Sequence, residues 1–163
     1  VEQGSIMRQK DYADVAVKPP ILFLAALALG YVLTRYFPIG PGLASPNGKA
    51  LTVGLIFVIV GLVIAVFAGR RFRIAGTSVM PGEPATALVK VGMYRVTRNP
   101  MYIGFILLYF GLSIVLTSVW ILLLLIPVVL ILHRCVVLRE EAYLEHKFGD
   151  DYRRYKENVP RWL

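Results

Sequence analysis

Two adjacent carboxylates, Glu140 and Glu141, stand where a long apolar run passes into a charged one. The segment Arg98-Asn99-Pro100-Met101-Tyr102 stands where another apolar run begins. A carboxylate at the edge of a lipid environment is costly unless it meets a cation, so Glu140, nearer the apolar run, is a candidate for holding a positively charged ligand. Glu141 and Glu145 admit a plainer reading as a solvated helix face pairing with neighbouring Lys and Arg. Asn99 followed by Pro100 reads as a helix start, since Asn caps free backbone N–H groups and Pro is pre-shaped for the first helical turn. Tyr102 then falls in that first turn. The positive end of the helix, beside Arg95 and Arg98, favours an anionic group, although ordinary flanking charge is the plainer account of both arginines. His133 and His146 are acid–base candidates, but their spacing supplies no metal triad and a lone His is more often structural. Cys135 is the single cysteine, which excludes an intrachain disulfide and a Cys-cluster metal site and reads as a packing residue.

The elements that must position these groups are membrane helices. Of 163 residues, 57% are hydrophobic, and the mean hydropathy of +0.65 is well above that of an ordinary soluble domain. The net charge of +8 does not point to nucleic acid, because basic residues interrupt apolar runs instead of forming one basic surface; anionic headgroups of membrane lipids are the expected counter-charge. Four stretches, roughly 19–37, 51–69, 101–118 and 119–138, approach the length of about 20 residues needed to cross a hydrocarbon layer as helices. Thr117 and Ser118 are all that separates the last two, which predicts a tight hairpin, with a pair of deeply dipping helices as the alternative. Within the second, Gly61, Ala65 and Gly69 form a small-residue face suited to close helix approach. Pro127 in the fourth removes a backbone donor; a kink opening space for a ligand and a tolerated membrane proline are equally good accounts.

Loop charge orients the bundle. Of 18 Lys and Arg, only Arg35 and Lys49 fall on one side, leaving 16 on the other, and that bias places both termini and the 70–100 segment in the cytoplasm. No cleavable signal peptide is evident, and Val1 to Ile6 read as a remnant of expression with Met7 the native start. The opposite loop, 38–49, is a Pro- and Gly-rich turn without chemistry. On the polar side, Gly76 to Pro84 holds too many turn-formers for a helix, Ala85 to Val91 reads as a short extended segment, and Gly92 turns the chain. The fourth helix continues past the membrane to a stop at Gly149. Beyond it, Tyr152, Arg153, Arg154, Tyr155, Arg161 and Trp162 have the composition of an interfacial anchor or lid.

Taken together, the run Thr86-Ala-Leu-Val-Lys-Val-Gly-Met-Tyr94, the run Arg98-Asn-Pro-Met-Tyr102-Ile-Gly104, Glu140-Glu141-Ala-Tyr-Leu144, Phe148-Gly-Asp-Asp-Tyr152-Arg-Arg-Tyr155 and the closing Val159-Pro160-Arg161 resemble the isoprenylcysteine carboxyl methyltransferases and the related phospholipid methyltransferases. The resemblance covers the chain from Arg70 onward. It implies an all-α integral membrane enzyme that uses S-adenosyl-L-methionine and acts on a lipophilic small molecule or lipid at the cytoplasmic face. Carried onto this chain, the cofactor contacts are Thr86, Ala87, Leu88, Val89, Tyr94, Asn99, Pro100, Met101, Tyr102 and Glu140, with Arg98, Tyr102 and Glu140 at the reacting centre and no metal. The chemistry agrees: a carboxylate pairs with the cofactor ammonium, Tyr faces suit a sulfonium, and an extended 86–89 segment offers backbone groups to adenine.

Two positions depart from the pattern. Asn99 stands where many relatives carry His, and Val136 stands where the family places a substrate-contacting Arg, a role for which Arg139 and Arg134 are the substitutes at hand. The acceptor is thereby left open between a prenylcysteine carboxylate, a lipid amine and another lipophile. Two rival functions remain: a nicotinamide-dependent membrane reductase, whose family shares similar C-terminal helices but is larger, and a non-enzymatic scaffold whose basic face binds anionic lipid.

Overall fold

Each of the four apolar stretches folds as a helix whose ends follow from local chemistry. The computed structural model describes residues 11–163, so the expectation for Val1 to Ile6 lies outside the described residues. Helix α1 (Pro19–Tyr36) opens on two prolines that need no intrahelical donors. Helix α2 (Gly48–Ile74) starts at Asn47, whose side chain accepts a hydrogen bond from the Ala50 amide at 2.8 Å. It outruns the expected 51–69 at both ends, because the cap lies before the apolar window and Arg70 to Arg73 remain helical after it. Helix α3 (Pro100–Val115) and helix α4 (Val119–Leu132) are joined by the expected tight hairpin. There Thr117 takes a left-handed φ of 48° and the Ser118 hydroxyl accepts from the Ile121 amide at 3.1 Å.

From α4 the helix continues without a break through a π turn (His133–Val137) into α5 (Leu138–Phe148). Gly149, at φ 52°, turns the chain into the short α6 (Asp150–Asn158). A 3₁₀ turn at Gly92–Arg95 precedes α3. Among the described residues there is no strand, so the 85–91 segment runs irregularly and pairs into no sheet. The helix passes through Pro127, and the change in its hydrogen bonding falls later, at the π turn. A π turn inserts one residue and rotates everything after it around the axis. Val136 and Val137 are both fully buried although adjacent, and of Glu140 and Glu141, also adjacent, the first is half-buried and the second buried.

The chain is an all-α integral membrane protein. Pro19–Tyr36, Gly48–Ile74 and Val119–Phe148 are long and apolar enough to cross a membrane, and α3 is a shorter apolar helix. At 16 residues α3 is about 24 Å long, short of the roughly 30 Å hydrocarbon core. Large apolar side chains point outward around the bundle, among them Leu24, Ile59 and Ile126 at 66%, 59% and 63% exposure. On a soluble protein such a belt would be an aggregation hazard; against lipid it costs nothing.

Because lipid tails compete equally for apolar surface, helix pairing rests on close backbone approach. Helix α2 packs mainly on α3, and α1 on α4. A methyl group at Gly61 would lie 2.5 Å from the Leu108 amide nitrogen, and one at Gly111 would lie 2.7 Å from the Gly54 carbonyl oxygen. Gly104 meets Ala65 in the same way. Gly69, expected on the same face, has no neighbour within 4 Å of where its Cβ would be. Ala68 continues the packed face instead, fully buried and clustered with Tyr94 and Met101, while Gly69 lies to one side of it. On the other pair, Gly30 lets Ile121 approach, and the Thr34 and Ser118 hydroxyls bond to each other inside the contact. Phe23, Tyr109, Ile121, Leu132, Val136 and Val137 fill the centre. The far loop only ties these ends down: Thr117 donates to the Gly42 and Ala44 carbonyls and Trp120 to the Phe37 carbonyl.

Candidate functional site

The polar end of the bundle holds a cavity of about 110 Å³ that opens to solvent. Three walls form it. One is the start of α3 with the 3₁₀ turn, contributing Tyr94, Arg98, Asn99, Met101 and Tyr102; a second is α5, contributing Glu140, Glu141, Tyr143 and Leu144; the third is the 78–89 loop. The C-terminal helix α6 closes the back with Tyr152 and Tyr155, and Ala13 of the coil before α1 lines an edge.

Glu140 is the central acid. Tyr102 is buried and its hydroxyl donates to both carboxylate oxygens, at 3.0 and 2.9 Å. Among the described residues no cation pairs with Glu140. A carboxylate held by one neutral donor, facing a cavity, retains most of its capacity to bind a cation.

Glu141 does the opposite. It is buried, not solvated, and is already neutralised: Arg98 pairs with it at 3.0 Å, and Arg161 grips both oxygens at 2.9 Å. This corrects the expectation of a solvated face, which holds only for Glu145, paired with the exposed Arg153 and Lys156. It equally removes Arg98 from the class of ordinary flanking charges, since only 8% of its side chain is exposed. The Arg98 side chain also reaches the Tyr152 hydroxyl at 3.4 Å, and its Nε–H is buried with no partner. A buried donor left unpaired is costly.

The C-terminal segment is part of this site and not a loose lid. Pro160 accepts from the Arg98 amide at 2.9 Å, and the Arg161 carbonyl accepts from Thr97 at 3.1 Å and from the Asn99 side chain at 3.0 Å. Asn99 thus precedes Pro100 at the helix start as expected, but its side chain caps nothing in the helix and holds the tail instead. Tyr155 donates to the Tyr94 carbonyl at 2.7 Å. Burial pushes the Tyr94 and Tyr155 phenols well above their ordinary range, and pushes Tyr152 up to about 12, with the Glu141 charge adding to the effect and Arg98 opposing it. These phenols stay neutral, so their ring faces are available to a cation.

Of the residues expected to hold a cofactor, the cavity brings together Ala87, Leu88, Val89, Tyr94, Asn99, Met101, Tyr102 and Glu140. Thr86 lies just outside, bonded through its amide to Thr77 and through its hydroxyl to the Gly76 carbonyl. Pro100 is fully buried behind the wall. Arg134 and Arg139 do not reach the cavity: both are exposed, and Arg139 donates to the Asp14 carbonyl. Val136 is inaccessible in the core. The sequence reading missed Glu141, Tyr143 and Phe72 as cavity residues; for Glu141 the adjacent Arg-rich segments were the available signal. Among the described residues no group of His, Cys, Asp and Glu is placed to hold a metal.

An α-helical membrane bundle whose polar end gathers a cavity, a carboxylate without a cation among the described residues and a wall of tyrosines defines the class: an integral membrane protein with its polar side chains converging on one end. The phospholipid methyltransferase family matches residues 50–151, well over half the chain and spanning every motif of the cavity up to α6. The chain belongs to that family. It is also 57% identical over 35 residues to an uncharacterized protein of Haemophilus influenzae, a match covering 22% of this chain and 56% of that relative. The chain thus spans little more than half the length of the curated relative it matches.

Proposed function

We propose that this membrane methyltransferase uses S-adenosyl-L-methionine, bound in the polar-end cavity, to methylate a lipophilic acceptor at the cytoplasmic membrane face. The observation that carries the reading is Glu140, a carboxylate on the cavity wall that Tyr102 orients and that has no cation partner among the described residues. A ligand carrying an ammonium satisfies it, and the amino-acid end of this cofactor carries one. The charge bias supports the cytoplasmic assignment: among the described residues 14 Lys and Arg belong to the segments on the side of the site, and Arg35 and Lys49 to the other.

When bound, the cofactor supplies an electrophilic methyl group on a sulfonium. The chain supplies position and dryness. Glu140, kept in one orientation by Tyr102, would hold the ammonium; the Tyr94 and Tyr102 rings would offer faces to positive charge; Ala87 to Val89 would offer backbone groups to the base. What the chain would contribute to methyl transfer is alignment of the acceptor and exclusion of water more than proton transfer.

Calorimetric titration of the detergent-purified protein with S-adenosyl-L-methionine tests the reading. Saturable binding is expected in the wild type, weakened about tenfold to a hundredfold in Glu140→Gln, which keeps shape and loses charge. A folded wild type that binds neither the cofactor nor its demethylated product would overturn it.

A further inference from the structure

Arg139, Tyr143 and Lys147 recur every four residues along α5 and so stand in one row on it. All three grip the coil before α1. Arg139 donates to the Asp14 carbonyl at 2.8 Å, Tyr143 to the Asp11 carbonyl at 3.1 Å, and Lys147 to the Asp11 carboxylate at 2.5 Å. Between these ties the Ala13 side chain is buried and lines the edge of the cavity, although Asp11 and Asp14 on either side of it are exposed. Val15 packs against the core of the bundle and roots the segment.

Tyr143 is the joint of this arrangement. A phenol has one proton to donate and two lone pairs with which to accept. Its proton goes to Asp11, and its oxygen accepts from the Ala85 amide at 3.0 Å and from the Lys147 ammonium at 3.1 Å. One hydroxyl, used to capacity, thus joins α5, the 78–89 loop and the N-terminal coil, three segments that all line the cavity. The ion pair that completes the tie is readily exchanged for water, because the Asp11 side chain is 64% exposed.

We propose that residues 11–14 are a strap that shuts the cavity against water, and that Tyr143 is the positioning residue that latches it. Lifting the strap uncovers the edge that Ala13 lines. Lowering it seals that edge and, through the shared hydroxyl, fixes the 78–89 loop at Ala85 in the same step. Resting on the methyltransferase reading, the ligands whose exchange the strap governs are S-adenosyl-L-methionine and its demethylated product: loading and release need an open edge, whereas methyl transfer needs a dry one.

The test uses the full chain in nanodiscs, with Cys135→Ser removing the single native thiol and Ala87→Cys placing one on the cavity wall. The rate at which a water-soluble methanethiosulfonate reagent labels that thiol reads access to the cavity with no cofactor present. Asp11→Asn loosens only the strap and, at an exposed position, leaves the fold intact; labelling is expected to speed about twofold to fivefold. Raising the salt concentration should speed labelling of the parent protein in the same way and add nothing in Asp11→Asn. Tyr143→Phe keeps the ring and frees the bonds to Asp11, Ala85 and Lys147 at once, so labelling should speed about tenfold, with the dissociation rate of S-adenosyl-L-methionine rising in step. Labelling at the parent rate in Asp11→Asn would overturn the proposal even if Tyr143→Phe speeds it, since the effect would then belong to the 78–89 loop alone. Absence of cofactor binding in the parent protein removes the methyltransferase reading, while the labelling still decides the strap.

Discussion

The membrane half and the polar end of this protein are held together by different means. Between Gly54 and Ala65, α2 meets α3 through backbone atoms, and the contact consists of what is missing, side chains at Gly61, Gly104 and Gly111. Between Tyr94 and Trp162 the polar end is tied by side chains that cross long stretches of sequence: Arg98 and Arg161 to Glu141, Asn99 to the Arg161 carbonyl, Tyr155 to the Tyr94 carbonyl. Lipid offers no hydrophobic incentive for helices to associate, so closeness has to be supplied by shape. At the polar end water competes for every donor, so specificity has to come from burial of paired charges.

The largest effect is expected from breaking the buried pair. Glu141→Ala leaves Arg98 and Arg161 facing each other without an acid, and removal of one partner from a buried ion pair costs about 3–5 kcal/mol. A thermal melt in detergent should show a large fall in midpoint, and cofactor binding should be lost with it, because Arg98 is no longer held. A midpoint equal to the wild type would mean that the network is decorative.

Next comes the zipper. Gly61→Ala puts a methyl carbon 2.5 Å from the Leu108 nitrogen, and the helices must part to admit it, at about 1–3 kcal/mol for overpacking. The midpoint should fall while Glu140 and Arg98 stay in place, so cofactor affinity measured below the melt should survive. Equal loss of stability and affinity would tie the two halves more closely than their chemistry suggests.

This division also sets what could be read from the sequence. Hydropathy is a local property, so four apolar stretches, the hairpin at Thr117-Ser118 and the polar sidedness all follow from neighbouring residues. The stop at Gly149 and the turn at Gly92 do too, since both adopt positive φ. The partners of Glu141 do not follow, because Arg98 and Arg161 reach it from either side along the chain and nothing local distinguishes it from Glu145, which is solvated. The π turn at His133–Val137 is equally hidden: an apolar run in lipid carries no periodicity strong enough to mark one inserted residue. Asn99 was legible as a helix start but not as the anchor of the tail, for its partner is the Arg161 carbonyl, a group every residue carries.

A smaller change, of opposite sign to the zipper's, is expected at Gly69. It belongs to the same small-residue repeat as Gly61 and Ala65, but a methyl group there meets open space. Gly69→Ala should therefore stabilise the helix by about 0.5–1 kcal/mol, the usual gain from reducing backbone freedom. Opposite shifts in midpoint for Gly61→Ala and Gly69→Ala, two residues of one sequence pattern, would show that Gly69 lies off the packed face. Destabilisation at both would mean that a neighbour meets α2 at Gly69 as closely as α3 meets it at Gly61.

The smallest effect separates the two glutamates that sequence alone treats alike. Glu145 pairs with Arg153 and Lys156, whose side chains are 59% and 42% exposed, and ion pairs in water are weak because solvent and salt replace them at little cost. Glu145→Gln should leave the melting midpoint and cofactor affinity at their wild-type values, at low salt and high. Glu141→Gln, which keeps shape but loses the charge and turns one acceptor oxygen into an NH2 donor facing an arginine, should still lower the midpoint, since two arginines then share a neutral partner in a buried place. If the two Gln variants melt together, burial does not distinguish these carboxylates and the C-terminal segment is held to α3 by its backbone hydrogen bonds alone.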